Sequence, residues 1–398
     1  MKIVLSRFTR IALFIGGIFI VSIPTIAQAD WSIVGLGTLG GNGSGATVIN
    51  DFGQVAGYSN TTTNGKNHAF ITGPNGVGMT DLGIDGSYVL ATGINDSGQV
   101  VGESWTTSNN FPQHAFITGP NGFGMTDLGT LGGNASAAAG INDSGLVVGR
   151  SNTTTDGQGH AFITGPNGVG MTDLGALGGN YSQAWGINDS GQVVGGSGTT
   201  SNNTHAFITG PNGVNMTDLG TLGGLDSYGF DINDSGQVVG QSTTTSNYTH
   251  AFNTGPNGVD MTDLGTLGGL YSYARKINDL GEVVGIATTS DDVPHSFLFS
   301  HGGMTDLSML DVVVTAGWSD LDVADINNNG QMVGRGIDNN GDDQAFLLSY
   351  TPDTVFDTKP IFIPPTIPPI PEPETYAMLL AGLGVIGFMA RRRKESVI

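Results

Sequence analysis

No cysteine occurs among the 398 residues, which removes disulfide frameworks, thiolate metal sites and cysteine nucleophiles together. Charge is scarce as well. Asp, Glu, Lys and Arg make up 12% of the chain, about half of ordinary usage. Cations are scarcest, with 13 Lys+Arg against 34 Asp+Glu and a formal charge of −21. Without the basic residues of the two ends, 6 Lys+Arg face 31 Asp+Glu in between, a balance of 6 − 31 = −25. Nucleic acid is therefore excluded as a partner, since neutralising phosphates requires clustered cations. Glycine and proline are abundant instead, 66 and 16 residues, or 82/398 against roughly an eighth in average usage. With a hydrophobic fraction of 38%, the composition predicts a folded, turn-dense protein with a substantial core.

The ends read as addresses. Lys2, Arg7 and Arg10 precede an apolar run, Ile11 to Ile23, which stops at Pro24 and is followed by Ala27-Gln28-Ala29. This order predicts a secretory signal peptide over 1–29, removed by signal peptidase at the small-x-small site Ala27 and Ala29. The run is shorter than the ~17 to 25 residues of a spanning helix.

At the other end, a Pro-rich segment within 352–370 reads as an extended spacer, because proline fixes φ and removes donors. Pro371-Glu372-Pro373-Glu374 follows, then the apolar stretch Tyr376 to Ala390, then Arg391-Arg392-Arg393-Lys394. The apolar part is expected to cross the membrane as a C-terminal helix, with the cations left on the cytoplasmic side. This tail, 371–398, resembles the PEP-CTERM sorting signal, with Pro371, Glu372 and Pro373 as its motif. The resemblance implies an exported protein of a Gram-negative bacterium that makes exopolysaccharide. It also implies transient residence in the inner membrane and processing by an exosortase.

Between the ends one unit is written seven times. His-Ala-Phe begins at His68, His114, His160, His205 and His250, recurs as His295-Ser-Phe, and ends as Gln344-Ala-Phe. Ile-Asn-Asp tracks it at Ile49, Ile94, Ile141, Ile187, Ile232 and Ile277, with Ile326-Asn327-Asn328 as the seventh copy. Met-Thr-Asp-Leu has six copies, starting at Met79, Met125, Met171, Met216, Met261 and Met304. On these motifs the span from Trp31 to Tyr350 resembles the HAF family of extracellular repeats. That likeness implies location and little chemistry.

Each unit reads as four short strands, with Asp-Ser-Gly and Pro-Asn-Gly as turns. Four strands in about 45 residues is the size of a propeller blade. The last unit lacks its Met-Thr-Asp-Leu strand, and the unpaired strand of that type is Trp31 to Leu36. The expected fold is thus all-β, a seven-bladed β-propeller over 30–351 closed by the N-terminal strand, which removes exposed sheet edges. A β-solenoid is the alternative, but it gives no reason for the phase offset between the ends.

The six histidines, placed identically around a ring, cannot converge on one ligand. They are expected to bond the Met-Thr-Asp carboxylates Asp81, Asp127, Asp173, Asp218, Asp263 and Asp306. The Asn-Asp-Ser-Gly turns read as Asx turns whose side chains cap their own backbone. No cofactor is expected. Asp338-Asn-Asn-Gly-Asp-Asp343 is the segment rich enough to consider for calcium, but it lacks the spaced bidentate Glu of an EF-hand.

No catalytic motif is present, so a binding face is sought where the repeat breaks its own rule. In the slot before Ile the residues run Val48, Gly93, Gly140, Gly186, Asp231, Lys276, Asp325; one position earlier come Trp185, Phe230 and Arg275 in successive units. Tyr181, Tyr228 and Tyr271 are placed in nearby connections, with Tyr88 and Tyr273. The charged trio is expected as an Asp-Lys-Asp network or as the floor of a polar site. The function expected is a non-catalytic cell-surface or exopolysaccharide-matrix protein binding glycan or protein through one face. The alternative is a secreted hydrolase or lyase acting on glycans, which would need converging carboxylates.

Overall fold

A computed structural model describes residues 30–351 apart from 63–66, 85–87, 106–112 and 155–157. The expected signal peptide, spacer and sorting helix lie outside these residues. Each repeat forms an antiparallel four-stranded sheet. In the fourth repeat the strands are Gly178–Ile187, Val193–Thr199, Thr204–Ile208 and Thr217–Asp218, hydrogen-bonded in chain order. Five such sheets stand alone. The sixth sheet has eight strands and consists of two four-stranded halves joined by a single bridge, Gly43 to Asp343. One half belongs to the first repeat. The other holds Ser319–Ile326, Gln331–Ile337 and Asp343–Thr351, with Asp30–Gly37 on its outer edge. The N-terminal strand runs antiparallel to Asp343–Thr351 from Asp30↔Thr351 to Gly37↔Ala345, the place expected from the repeat phase.

The sheets share cores with their neighbours. Val148, Ala161 and Ile163 of the third repeat pack with Ala184, Val193 and Phe207 of the fourth. The Phe of every His-Ala-Phe equivalent, from Phe70 to Phe346, is at most 1% exposed, which fixes the third strand as the centre of each sheet.

The asparagines of the Ile-Asn-Asp elements close a circle. Each Asn Nδ2 donates to the carbonyl of the next, from Asn50 through Asn95, Asn142, Asn188, Asn233, Asn278 and Asn327 back to Asn50, at 2.9 to 3.1 Å. A second circle runs beside it, in which the backbone N–H of Asp51, Asp96, Asp143, Asp189, Asp234 and Asp279 each donates to the side chain at the next position, with Asn328 as seventh member, at 2.7 to 3.0 Å. A solenoid has no such return from last unit to first. The Asn also accepts from its own turn, as Asn188 Oδ1 does from Gln192 N–H at 2.9 Å, so self-capping falls to Asn while Asp links neighbouring sheets.

Three features depart from the expected pattern. The tyrosines placed in connections, Tyr88, Tyr181, Tyr228, Tyr271 and Tyr273, belong to first strands, since these begin earlier, as at the Gly-Gly pair of Gly178–Ile187. A short helix, Asp311–Thr315, precedes the last repeat. Every first strand also carries a β-bulge before its Ile. Ala184 opposes Gly195 and Gly186 opposes Val194, so Trp185 is an extra residue without a cross-strand partner. The glycine opposite is required by contact: a Cβ on Gly195 would lie 2.0 Å from the Gln183 carbonyl oxygen. This explains the Gly of the Val-Val-Gly motif.

Candidate functional site

Bulges re-aim a side chain and tighten local twist. The extra residues are Thr47, Thr92, Ala139, Trp185, Phe230, Arg275 and Ala324. Five of these, Thr92 through Arg275, line one cavity of about 530 Å³. Its size is that of small-molecule sites, about 300 to 1,000 Å³. The cavity exists because the slots are unequal. Thr92 and the run Ala137, Ala138 and Ala139 bring small side chains to the lining, while Trp185, Phe230, Tyr273 and Arg275 bring large ones.

The aromatic wall is interlocked. Trp185 meets Phe230 edge-on with centroids 5.3 Å apart, and Tyr228 stacks behind Phe230 at 6.4 Å. Such contacts hold the rings in place beyond what area burial alone provides. Arg275 donates to the Val323 carbonyl at 2.8 Å and to the Tyr273 hydroxyl at 3.2 Å, and pairs with Asp322. Glu103, Gln183 and Gln241 add a carboxyl and two carboxamides to the lining. Burial raises the Glu103 carboxyl above its ordinary range, against the pull of the Gln113 amide that bonds it.

Lys276 also lines this cavity. Its ammonium lies 3.4 Å from Asp231 Oδ1, with the two side chains 25% and 13% exposed. Asp231 Oδ2 accepts from Ile277 N–H at 3.0 Å. Asp325, buried, accepts from Ile49 N–H at 2.9 Å and Ile326 N–H at 2.8 Å. Burial pushes Asp325 up to about 6, with Lys276 pulling the other way; burial likewise raises Asp231. Burial would lower Lys276, but Asp231 and Asp325 together hold it above its ordinary value. Lys276 is thus ion-paired with Asp231 of the preceding repeat and feels the charge of Asp325 in the following one.

Of the site residues read from the sequence, Trp185, Phe230, Arg275 and Lys276 meet at the cavity, Tyr228 backs its rings, and Asp231 and Asp325 engage Lys276 or its surroundings. Tyr181 and Tyr271 lie apart, Tyr181 bonded to Thr204 and Tyr271 edge-on to Tyr248 at 5.7 Å. Glu103, Gln183 and Gln241 were not anticipated. Their signal is the slot two before the bulge and its cross-strand partner, where Leu90 faces Glu103 and Tyr228 faces Gln241.

Other polar clusters are spent on structure. The six histidines bond their aspartates through Nδ1 at 2.7 to 2.9 Å, as expected. Asp338 Oδ1 accepts from Asn340 and Asp342 N–H at 2.8 and 3.0 Å, bonds that depress its carboxyl and cap its own turn. Among the described residues no group of three His, Asp or Glu is arranged to hold a metal.

Residues 369–394 match the PEP-CTERM protein-sorting motif, which implies processing by an exosortase during export and delivery to the cell surface. No curated protein matches the sequence. In three dimensions the chain is similar to the β-propeller domain of the Trilobed protease from Pyrococcus furiosus, with a TM-score of 0.53, 8% identity, and coverage of 80% of this chain and 98% of that one. It is also similar to a structure from an analysis of two prolyl endopeptidases, at 0.51 and 9% identity, covering 77% of this chain and 50% of that one. TolB from Acinetobacter baumannii aligns at 0.44 and 9% identity, over 76% of this chain and 67% of that one. The fold is that of a β-propeller.

Proposed function

We propose that this chain is a non-catalytic component of the cell surface or exopolysaccharide matrix of a Gram-negative bacterium, and that it binds glycan in the bulge-lined cavity. Counting each half of the eight-stranded sheet as a blade makes a seven-bladed ring of HAF-type repeats. The observation that carries the binding reading is the cavity itself. Rigid aromatic walls, two carboxamides and a carboxyl on a rigid scaffold match the mostly apolar lining with a few placed polar groups that ligand sites use. A sorting signal for export supports a surface or matrix address. Of the carboxylates among the described residues, Glu103 alone lines the cavity, whereas glycoside hydrolysis ordinarily uses a pair flanking the bond. The test is binding of purified exopolysaccharide from an exosortase-bearing host to the exported chain, followed by calorimetry. Trp185→Ala and Phe230→Ala should each weaken it at least about tenfold. Unchanged affinity in both would refute the assignment.

A further inference from the structure

The charges at the cavity are compensated from within. Among the described residues the cations at its wall are Arg275 and Lys276. Arg275 is paired with Asp322 and further fixed by Val323 and Tyr273. Asp322 also receives Arg335 at 3.6 Å. Lys276 is paired with Asp231, and Asp325 adds a second negative charge within its electrostatic reach. The carboxyl at the wall among the described residues, Glu103, is bonded to the Gln113 amide. Among the described residues of the wall, the carboxamides of Gln183 and Gln241 are left uncommitted, each able to donate and accept.

An anionic sugar would bring a carboxylate beside Glu103 at the wall and toward Asp322 and Asp231, which pair the two wall cations from behind, in a chain whose net charge is −21. A cationic amino sugar would meet the ammonium and guanidinium that stand at the wall. Either would have to leave its hydration for partners already engaged, which is unfavourable in a half-buried site. An uncharged saccharide has neither problem. Its C–H faces can cover Trp185 and Phe230, and its hydroxyls both donate and accept, as carboxamides do.

We infer that the cavity selects uncharged saccharide over uronate and amino sugar, by aromatic contact with Trp185 and Phe230 and carboxamide bonds from Gln183 and Gln241. This rests on the glycan-binding reading. Calorimetry on the exported chain would compare neutral hexose trisaccharides (gluco, galacto and manno) with trigalacturonate and with chitosan trisaccharide, in about 20 mM and about 300 mM salt. The expected result is saturable binding of at least one neutral trisaccharide, changing less than about twofold with salt because no exposed ion pair contributes. The charged trisaccharides should bind at least about tenfold more weakly. Trp185→Ala should weaken the neutral ligand by about thirtyfold, the loss typical of a central aromatic contact. Gln241→Ala, which leaves the aromatic packing whole, should weaken it about fivefold and keeps the test valid should the Trp variant fail to fold. If a charged trisaccharide binds as well as the neutral ones and loses affinity in these variants, the glycan site stands and the charge selection is overturned. If no trisaccharide binds, or both variants bind like the parent, the glycan reading itself falls.

Discussion

Replacing Lys276 with Met keeps a straight side chain of similar length and removes the charge that pairs with Asp231 and acts on Asp325. Asp231 and Asp325 remain, each bonded to backbone N–H groups, but without the ammonium. Asp325 already sits at about 6 with Lys276 beside it, roughly two units above an ordinary Asp and worth about 3 kcal/mol against its ionised form. Breaking a buried pair costs about 3 to 5 kcal/mol. Lys276 is 25% exposed, so water restores part of this and about 2 to 3 kcal/mol is expected at pH 8. The direction with pH follows from proton counting. A carboxyl held above its unfolded value keeps its proton in the native state while the unfolded chain has released it, so stability falls as pH rises from about 4 to about 6. In the variant this fall extends to higher pH. At pH about 4.5 much of the carboxyl charge is neutralised in the native state and the substitution should cost under about 1 kcal/mol. Thermal unfolding followed by circular dichroism should show a midpoint lowered by roughly 3 to 5 °C at pH 8, and little change at pH 4.5. An equal loss at both pH values would show that the Lys276 stem matters and its charge does not. No loss at either would place the ammonium in bulk water.

Asp325→Asn should flatten the parent's decline in stability between pH about 4 and about 6, by up to about 3 kcal/mol, as read from urea unfolding across that range; an unaltered profile would assign the titration elsewhere. Asn188→Ala removes the cap on Gln192 N–H and the link to Asn233 and leaves buried polar groups unpaired. It should cost about 2 to 4 kcal/mol in chemical denaturation, and a cost under about 0.5 kcal/mol would mean that the asparagine circle is incidental. Deleting Trp31 to Leu36 bares the edge of Asp343–Thr351 and removes Trp31 from its contact with Tyr350, centroids 4.9 Å apart. Cooperative unfolding should be lost or the midpoint lowered sharply, and an unchanged melting curve would sink the closure argument. Glu372→Ala should leave unprocessed chain in the inner membrane of an exosortase-bearing host, and normal maturation would count against exosortase reading this element.

The strand order and the closing strand were legible because the repeat is written in phase with the sheet. Each His-Ala-Phe marks a buried centre, each Asp-Ser-Gly a turn, and the missing last Met-Thr-Asp-Leu points to Trp31 to Leu36. The location of the site was legible where Trp185, Phe230, Arg275 and Lys276 break the pattern. Its construction was hidden. In a regular strand Arg275 and Lys276 would point to opposite faces, and only the bulge opposite Gly285 brings both to one cavity. The Asn and Asp circles were equally hidden, since an Asx turn uses the same residues whether its side chain bonds its own loop or the neighbouring repeat. Glu103 and Gln241 reach the wall by cross-strand pairing, which spacing along the chain does not encode.

Asp30 and Thr351 are cross-strand partners, so whatever precedes and follows the ring departs from the same corner. The clasp between the first and last strands joins the earliest and latest parts of the ring to be synthesised. It cannot form until Thr351 is available on the same side of the membrane as Asp30. Such non-local pairing is slow to form, so the pace of ring closure is set by the last strand to appear. Locking of the ring therefore waits on completion of Asp343–Thr351, whatever follows it.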